Sequence, residues 1–452
     1  MPKGRRTYNF NYKKMKNIIL LISTIFSIQG NAIEYPIKTF TLPNGLKVIV
    51  CEKHTSPMVQ MEVWYRVGSK DEWDGVRGMA HMFEHMMFRG SKKFNGDGDV
   101  YIHEMDKLGA AINAYTTFDR TVYWQELPKE NIEKVFDMEA DRMENLILDQ
   151  KVLDTEREVV GEELRLGENN WYNRMSSERY KHLYPNQHPY KVDVIGNLDE
   201  ITKFTIKQCQ DFYDKYYSPN NAYLVIVGDV KAEEMFEFAK KYFAPIKKQL
   251  PVNAKKIEPD VFSFSPTIED MQIDYPVQIY SYAIPAPAVG TADYYAFNLL
   301  RDLLFSNSNS ILNNTIVERG NLAYAIQSLS DDSRLYNNIA TFDVIMQAQM
   351  GNAKVKKMIS KEIYDIINEG IDQELIDNYV KNLEVSQTFQ NYSNQAIADK
   401  LGFAEYYFMD YKKYNQTLES YKSIKVEQLT AVCKKYFNPE NMKVINIKPA
   451  ME

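Results

Sequence analysis

Alternation and helical period along the chain show the same order of elements twice. "PMVQMEVWY" (57–65) and "PVQIYSYAI" (276–284) are strand-like apolar runs that each begin at proline. "AHMFEHMMFRGS" (80–91) and "FNLLRDLLFSNS" (297–308) follow as apolar helices, and "KYYSPNNAYLVIV" (215–227) matches "KYFNPENMKVINI" (435–447) without a gap. The three pairs keep their order at offsets of 219, 217 and 220 residues. Two homologous domains of about 210 residues each are expected. Further helices are predicted over 129–148 and 352–389, and "AYLVIVGDV" (222–230) is predicted as the strand that closes the first repeat. Such grouping predicts an α+β fold in which each domain is an antiparallel-rich sheet covered by helices. The stretch around 244–264 has Pro, Lys and little periodicity. It is expected to link a first domain, 33–245, through 246–262 to a second, 263–452.

The N-terminus departs from this pattern. "YKKMKN" is basic, "IILLISTIFSI" (18–28) is an apolar or hydroxyl run, and "QGNA" ends in a small residue. These features predict a secretory signal over 1–32, with cleavage after Ala32 and export, in a bacterium to the periplasm. An uncleaved anchor is the alternative. Removing the leader takes six basic residues and moves the formal charge from −7 to −13. Nucleic acid and anionic lipid are poor partners for so acidic a protein. The cysteines, Cys51, Cys209 and Cys433, are three and widely spaced, so they are read as buried thiols and not as a disulfide or metal framework.

Within the first helix of the repeat lie three titratable groups. On a helix over 78–88, His81 and His85 are one turn apart and Glu84 flanks them, while methionines and Phe83 cover the rest. A helix apolar all round is buried, so the histidines are expected to be buried and partnered. Two His at i, i+4 chelate metal, and Glu84 is placed to handle a proton of bound water. In the second repeat these positions are Asn298, Arg301 and Asp302. The apolar frame is therefore architecture, and the polar set belongs to the first domain alone. A third ligand is sought in "LDTEREVVGEELRLGENN" (153–170), where Thr155 and Glu158 have the spacing of a helix start. There Glu156 and Glu163 fall in a stripe with Val159, Val160, Leu164 and Leu166.

The motif His81-Met-Phe-Glu84-His85, followed by E-x6-E at Glu156 and Glu163, resembles the inverted zinc motif of the pitrilysin/insulinase-type metallopeptidases. "PNGLKVIV" (43–50), "FRGSKKF" (88–94), "INAYTTFDRTVYW" (112–124) and "YYSPNNAYLVIVGDV" (216–230) resemble further blocks of that family. The resemblance implies a clam-like chamber and one zinc ion held by His81, His85 and Glu163. It makes Glu84 the general base and Glu156 a carboxylate that steadies a ligand histidine. It implies that segment 112–117, with Asn113 and Ala114, pairs with an extended peptide, and that Tyr324 of the second domain contacts it. The family's second domain also offers an Arg seven residues before that Tyr. Here "VERGNLAY" (317–324) has Val317 at that position, with Arg319 out of register. Either Arg319 is re-aimed, or a homologous partner chain or a second copy supplies the missing Arg. The expected activity is that of an exported zinc endopeptidase acting on unstructured peptides. The alternatives are a non-catalytic processing or scaffold subunit of the same fold and a zinc hydrolase of small non-peptide substrates.

Overall fold

Both expected strand sets form, and they form sheets of one design. The computed structural model describes residues 35–449, apart from 97, 186, 251–268, 274–276, 307, 329–332 and 348–350. The expected leader, 1–32, and most of the expected linker, 246–262, lie outside the described residues. Strands β1 (Ile37–Thr41), β2 (Lys47–Glu52), β3 (Met58–Tyr65), β4 (Ala111–Thr116), β5 (Thr121–Pro128) and β6 (Ala222–Gly228) build the first sheet in the order β1-β2-β6-β3-β5-β4. Strands β7 (Glu269–Ile273), β8 (Ile279–Ala286), β9 (Ala323–Ser328), β10 (Asn338–Met346) and β11 (Lys443–Pro449) build the second as β7-β11-β8-β10-β9. Without β1, the two orders correspond strand for strand. The directions also correspond: β2–β6 and β7–β11 run parallel, and every other neighbour runs antiparallel. The helix Ile206–Tyr216 and turn Pro219–Asn221 before β6 recur as Val426–Tyr436 and Pro439–Asn441 before β11.

Each central strand is buried on both faces, and its alternation sorts residues between two cores. From β3, Val59, Met61, Val63 and Tyr65 join a first core with the helices Met79–Met86, Ile132–Glu144 and Ile206–Tyr216. Trp64 faces the other way, with Ile49, Tyr223, Val225 and Val227. What covers that face is the helix Asn394–Phe408 of the second half, through Ile397, Ala398, Leu401, Tyr406 and Tyr407. The second sheet receives the reciprocal service. Ile279, Ala283, Ile339, Ile445 and Ile447 are covered by Met175 and Leu183 of the helix Trp171–Leu183, with Phe118, Tyr184 and Tyr190. On that helix Arg179 is buried and its guanidinium donates to Asp343 on β10 at 2.9 Å. Each half therefore lends the other a helix.

Two predicted helices change. The stretch 352–389 is two helices, Asn352–Glu369 and Gln373–Gln390, because Gly370 turns the chain at φ +84° and Asp372 caps the second by accepting the Glu374 N–H. The stretch 129–148 shortens to Ile132–Glu144 behind a 3₁₀ turn, since Pro128 still belongs to β5. Cys51, Cys209 and Cys433 are free and buried, as read from the sequence.

The halves approach closely at Gly402, where a Cβ would run into the Trp64 indole. Its carbonyl accepts the Tyr223 hydroxyl at 2.8 Å. Gly402→Ala should therefore force the fully packed Trp64 aside and lower the unfolding free energy by about 1–3 kcal/mol. A urea midpoint equal to that of the unmodified protein would refute this packing.

Candidate active site

The helix Met79–Met86 is fixed from below and from its N-terminus. Met79, Ala80, Met82, Phe83 and Met86 are buried, and Phe83 stacks on Phe212 with ring centroids 5.6 Å apart. Gly78 starts the helix at φ +96°, where a Cβ would sit 2.7 Å from the Ile195 carbonyl oxygen, so no side chain fits. The cap comes from a loop instead. The fully buried Glu72 carboxyl accepts the Gly78 N–H at 2.9 Å and the Ala80 N–H at 2.8 Å. Burial pushes Glu72 up to about 8, against the pull of those two amides. Tyr123 on β5 donates its hydroxyl to the Phe83 carbonyl at 3.1 Å.

This anchoring leaves His81, Glu84 and His85 on the uncovered side. The expectation that both histidines are buried is only partly met: their side chains are 12% and 24% exposed, enough to be reached from a cavity. Their rings sit 4.8 Å apart, centroid to centroid. Nε2 of His81 and Nε2 of His85 lie 3.7 Å and 3.4 Å from Oε2 of Glu163. One donor atom from each of the three residues lies within 4.8 Å of the others. Glu163 comes from the helix Gln150–Asn169, which starts earlier than the expected Thr155 because Asp149 caps it, accepting the Val152 N–H at 2.8 Å. Thr155 bonds back to the Lys151 carbonyl within that helix.

The apolar stripe of that helix is narrower than the sequence indicates. Leu153, Val160 and Leu164 are buried, but Val159 is 42% and Leu166 69% exposed. Glu156 is buried as expected, whereas Glu163 stands at the stripe's edge, half exposed. Glu156 faces His85 Nδ1 at 3.5 Å and pairs with Arg89, which also reaches Asp99 at 2.7 Å. Burial pushes Glu156 up, but His85 and Arg89 outweigh it and hold its carboxyl low. Burial likewise works against a charged His85, yet Glu156 and Glu163 carry it up to about 9. His81 goes the other way, to about 4, through burial and the neighbouring His85. Two carboxylates thus draw positive charge to this point while His81 keeps a free lone pair. Two imidazoles, one carboxylate and an open side suit a catalytic zinc ion. Glu84 lies beside them; burial raises its pKa, and Thr116 and His85 oppose that rise.

A cavity of about 590 Å³ opens on this group, lined by His81, Glu84, Glu163, Tyr115, Thr116 and Arg174 among others, all from the first half. Tyr115 and Thr116 lie on β4, the free edge of the first sheet. Asn113, on the same strand, is exposed, and its carboxamide oxygen accepts the Ala114 N–H at 2.9 Å. Ala114 is buried, and its N–H is the one that Asn113 already holds. Tyr324 is not brought to this cavity: it stands 60% exposed on β9, the edge of the other sheet. Val317 packs against the second core and Arg319 is exposed; neither lines the cavity.

Glu72, Arg89 and Arg174 are site residues that sequence reasoning does not single out. Arg89 sits one turn beyond His85, which is a weak signal; Glu72 acts from a loop and leaves no periodic trace. In the second half the corresponding helix Tyr294–Phe305 is glued differently. Asp302, at the position matching His85, is paired with Arg301 and accepts the Tyr379 hydroxyl at 2.5 Å. Among the described residues, His81, His85 and Glu163 are the single metal-suited group.

Residues 47–192 match the family model described as Insulinase (Peptidase family M16), and residues 203–383 match Peptidase M16 inactive domain. The zinc protease PqqE of Helicobacter pylori is 27% identical over 453 residues, covering 98% of this chain and 100% of that protein. A solved protease from Helicobacter pylori superposes with a TM-score of 0.80 at 24% identity, over 92% of this chain and 100% of that one. The periplasmic protease PqqL from Escherichia coli gives a TM-score of 0.74 at 20% identity; 92% of this chain covers 48% of it. Both structures speak to the fold.

The capping role of Glu72 has a direct test. Glu72→Ala leaves two N–H groups at the start of the histidine helix without their acceptor. Stability should fall by about 1–2 kcal/mol, read as a lower urea midpoint, with Glu72→Gln in between. No change in either variant would show that the helix start is held by packing alone.

Proposed function

The chain belongs to the insulinase family of peptidases, M16, and on that premise we propose that it is a zinc-dependent endopeptidase of extended, unstructured peptides. The convergence of His81, His85 and Glu163 beside Glu84, with His81, Glu84 and Glu163 lining one cavity, is the observation that carries this reading. His81, His85 and Glu163 would hold the ion, which when bound supplies Lewis-acid polarisation of a carbonyl and acidifies water. Glu84 takes a proton onto its carboxylate and returns it to the leaving amine. Glu156 fixes the His85 ring through Nδ1, and Arg89 holds Glu156 in place. The free edge of β4 receives the peptide as an added strand, with Asn113 and the Ala114 backbone alongside it.

Two finer points belong to the same proposal. The first is export to the periplasm, supported by the basic and apolar leader and by the similarity to the periplasmic protease PqqL. Among the described residues no helix is long and apolar enough to cross a membrane. The second is a partner. PqqL is about twice as long as this chain, and neither Tyr324 nor Arg319 lines the cavity. A homologous chain carrying an Arg/Tyr pair, or a second copy, supplies the missing contacts.

Purified protein should contain one zinc per chain, lost on combining His85→Ala with Glu163→Gln, and a chelator should abolish peptide hydrolysis. Glu84→Gln should keep the zinc and lose roughly 10²–10⁴-fold in rate. Stoichiometric zinc in the double variant would remove the ligand assignment, and near-full activity in Glu84→Gln would remove the base. For the partner, the expected result is low activity of the isolated chain that rises on adding a homologous Arg/Tyr-bearing chain, together with a larger mass in size exclusion. Full activity as a monomer speaks against it.

A further inference from the structure

The helix Trp171–Leu183 has two working faces. Met175, Arg179 and Leu183, at i, i+4 and i+8, are buried, and that face covers the second sheet. Arg174, Ser177 and Lys181, at i, i+3 and i+7, line the cavity that holds His81, Glu84 and Glu163. The cations on this wall differ in state. Lys181 is engaged, its Nζ 2.6 Å from Glu178. Arg174 makes no side-chain hydrogen bond or ion pair among the described residues, and its Nε is sealed from solvent with no acceptor. Glu168 and Asp193 share the wall without pairing with it, and the Asp193 carboxyl is taken by the Val194 N–H at 2.7 Å. A guanidinium has five donors in a planar fork, and leaving the sealed Nε–H without an acceptor is unfavourable.

We propose that Arg174 is a specificity-determining residue that docks a carboxylate of the bound peptide, beside the zinc site. The inference rests on the peptidase reading and deepens it. Carboxylate is the matching chemistry because the fork binds it with two parallel N–H···O bonds, which a carboxamide cannot reproduce with the same charge. The carboxylate is either an Asp or Glu side chain near the scissile bond or the free C-terminus of a short peptide. The helix explains the placement. Its opposite face is locked onto the second sheet through Arg179 and Asp343, which holds the Arg174 backbone in place on the cavity wall.

The test uses the zinc-loaded full chain and matched flexible peptides. One arm exchanges Glu for Gln at each position around the cleavage site; the other exchanges the free C-terminus for its amide. A charge-assisted hydrogen bond of about 1.5–3 kcal/mol corresponds to a preference of roughly 10–100-fold for the carboxylate form, expected mainly in KM. Arg174→Ala should collapse that ratio towards one, and Arg174→Lys should keep part of it; circular dichroism and zinc content check each variant's fold. The arm that shows the preference identifies which carboxylate is docked. The same peptides are titrated against the Glu84→Gln protein by fluorescence anisotropy, which reads docking without turnover. Absence of all hydrolysis with an Arg174-dependent carboxylate preference in binding would sink the peptidase reading and keep the docking role. Hydrolysis or binding with the same carboxylate preference in the unmodified protein and Arg174→Ala, or with none in either, overturns the inference.

Discussion

One buried carboxylate ties the cleft to the rest of the molecule. Asp119 sits in the turn between β4 and β5 with no exposure to solvent. Its Oδ1 accepts the Tyr190 hydroxyl at 2.7 Å, and its Oδ2 accepts the Leu335 N–H at 2.8 Å and the Tyr407 hydroxyl at 3.2 Å. Its carbonyl oxygen takes Lys70 Nζ and the Tyr406 hydroxyl. Neighbouring Arg120 donates to Tyr407 at 2.7 Å. A carboxyl group so far from water needs its acceptor sites filled, and here donors from both halves fill them. The turn is thereby fixed, and so is the end of β4, which lies three residues earlier at Thr116. One set of hydrogen bonds thus joins segments of both halves at the turn that leads out of the cleft edge.

The two halves show what a site adds to a frame. Both keep the strand order, the parallel pair at one side, and an apolar helix in the same place. In the first half that helix carries a histidine pair facing a carboxylate helix. In the second, Asp302 is satisfied by Arg301 and Tyr379, ordinary partners that leave no vacancy for an ion. The polar substitution changes the chemistry without changing the packing, because the buried face, Met79, Met82, Phe83 and Met86 against Phe297, Leu300, Leu304 and Phe305, is apolar in both.

Local signals were readable in the amino-acid sequence, and contacts between distant segments were not. The i, i+4 histidines and the E-x6-E spacing are local, and the structure brings His81, His85 and Glu163 together. The angular stripe placed Glu163 and Glu156 alike, yet one is half exposed and the other sealed, because the stripe's width is set by what packs on it. Leu166 and Val159, apolar and exposed, make the same point. Gly370 splits the expected 352–389 helix, and the amphipathic run on either side of it masks the turn in the sequence. Glu72, Asp119 and Arg174 act across the fold from loops or from a second helix face, and no period marks them. The helix exchange is a contact between segments some two hundred residues apart, which neither repeat announces alone.

That exchange bears on how such a chain could arise. A half of this molecule, folded alone, would present one apolar sheet face with nothing of its own to cover it. A single-repeat ancestor would have been complete only as a pair of identical chains, each inserting its helix into the other, a domain-swapped dimer. Joining the two copies end to end turns an encounter that depends on protein concentration into an intramolecular one. In such a joined chain one copy can carry the histidines while the other serves only as frame, with Asn298, Arg301 and Asp302 at the matching positions here.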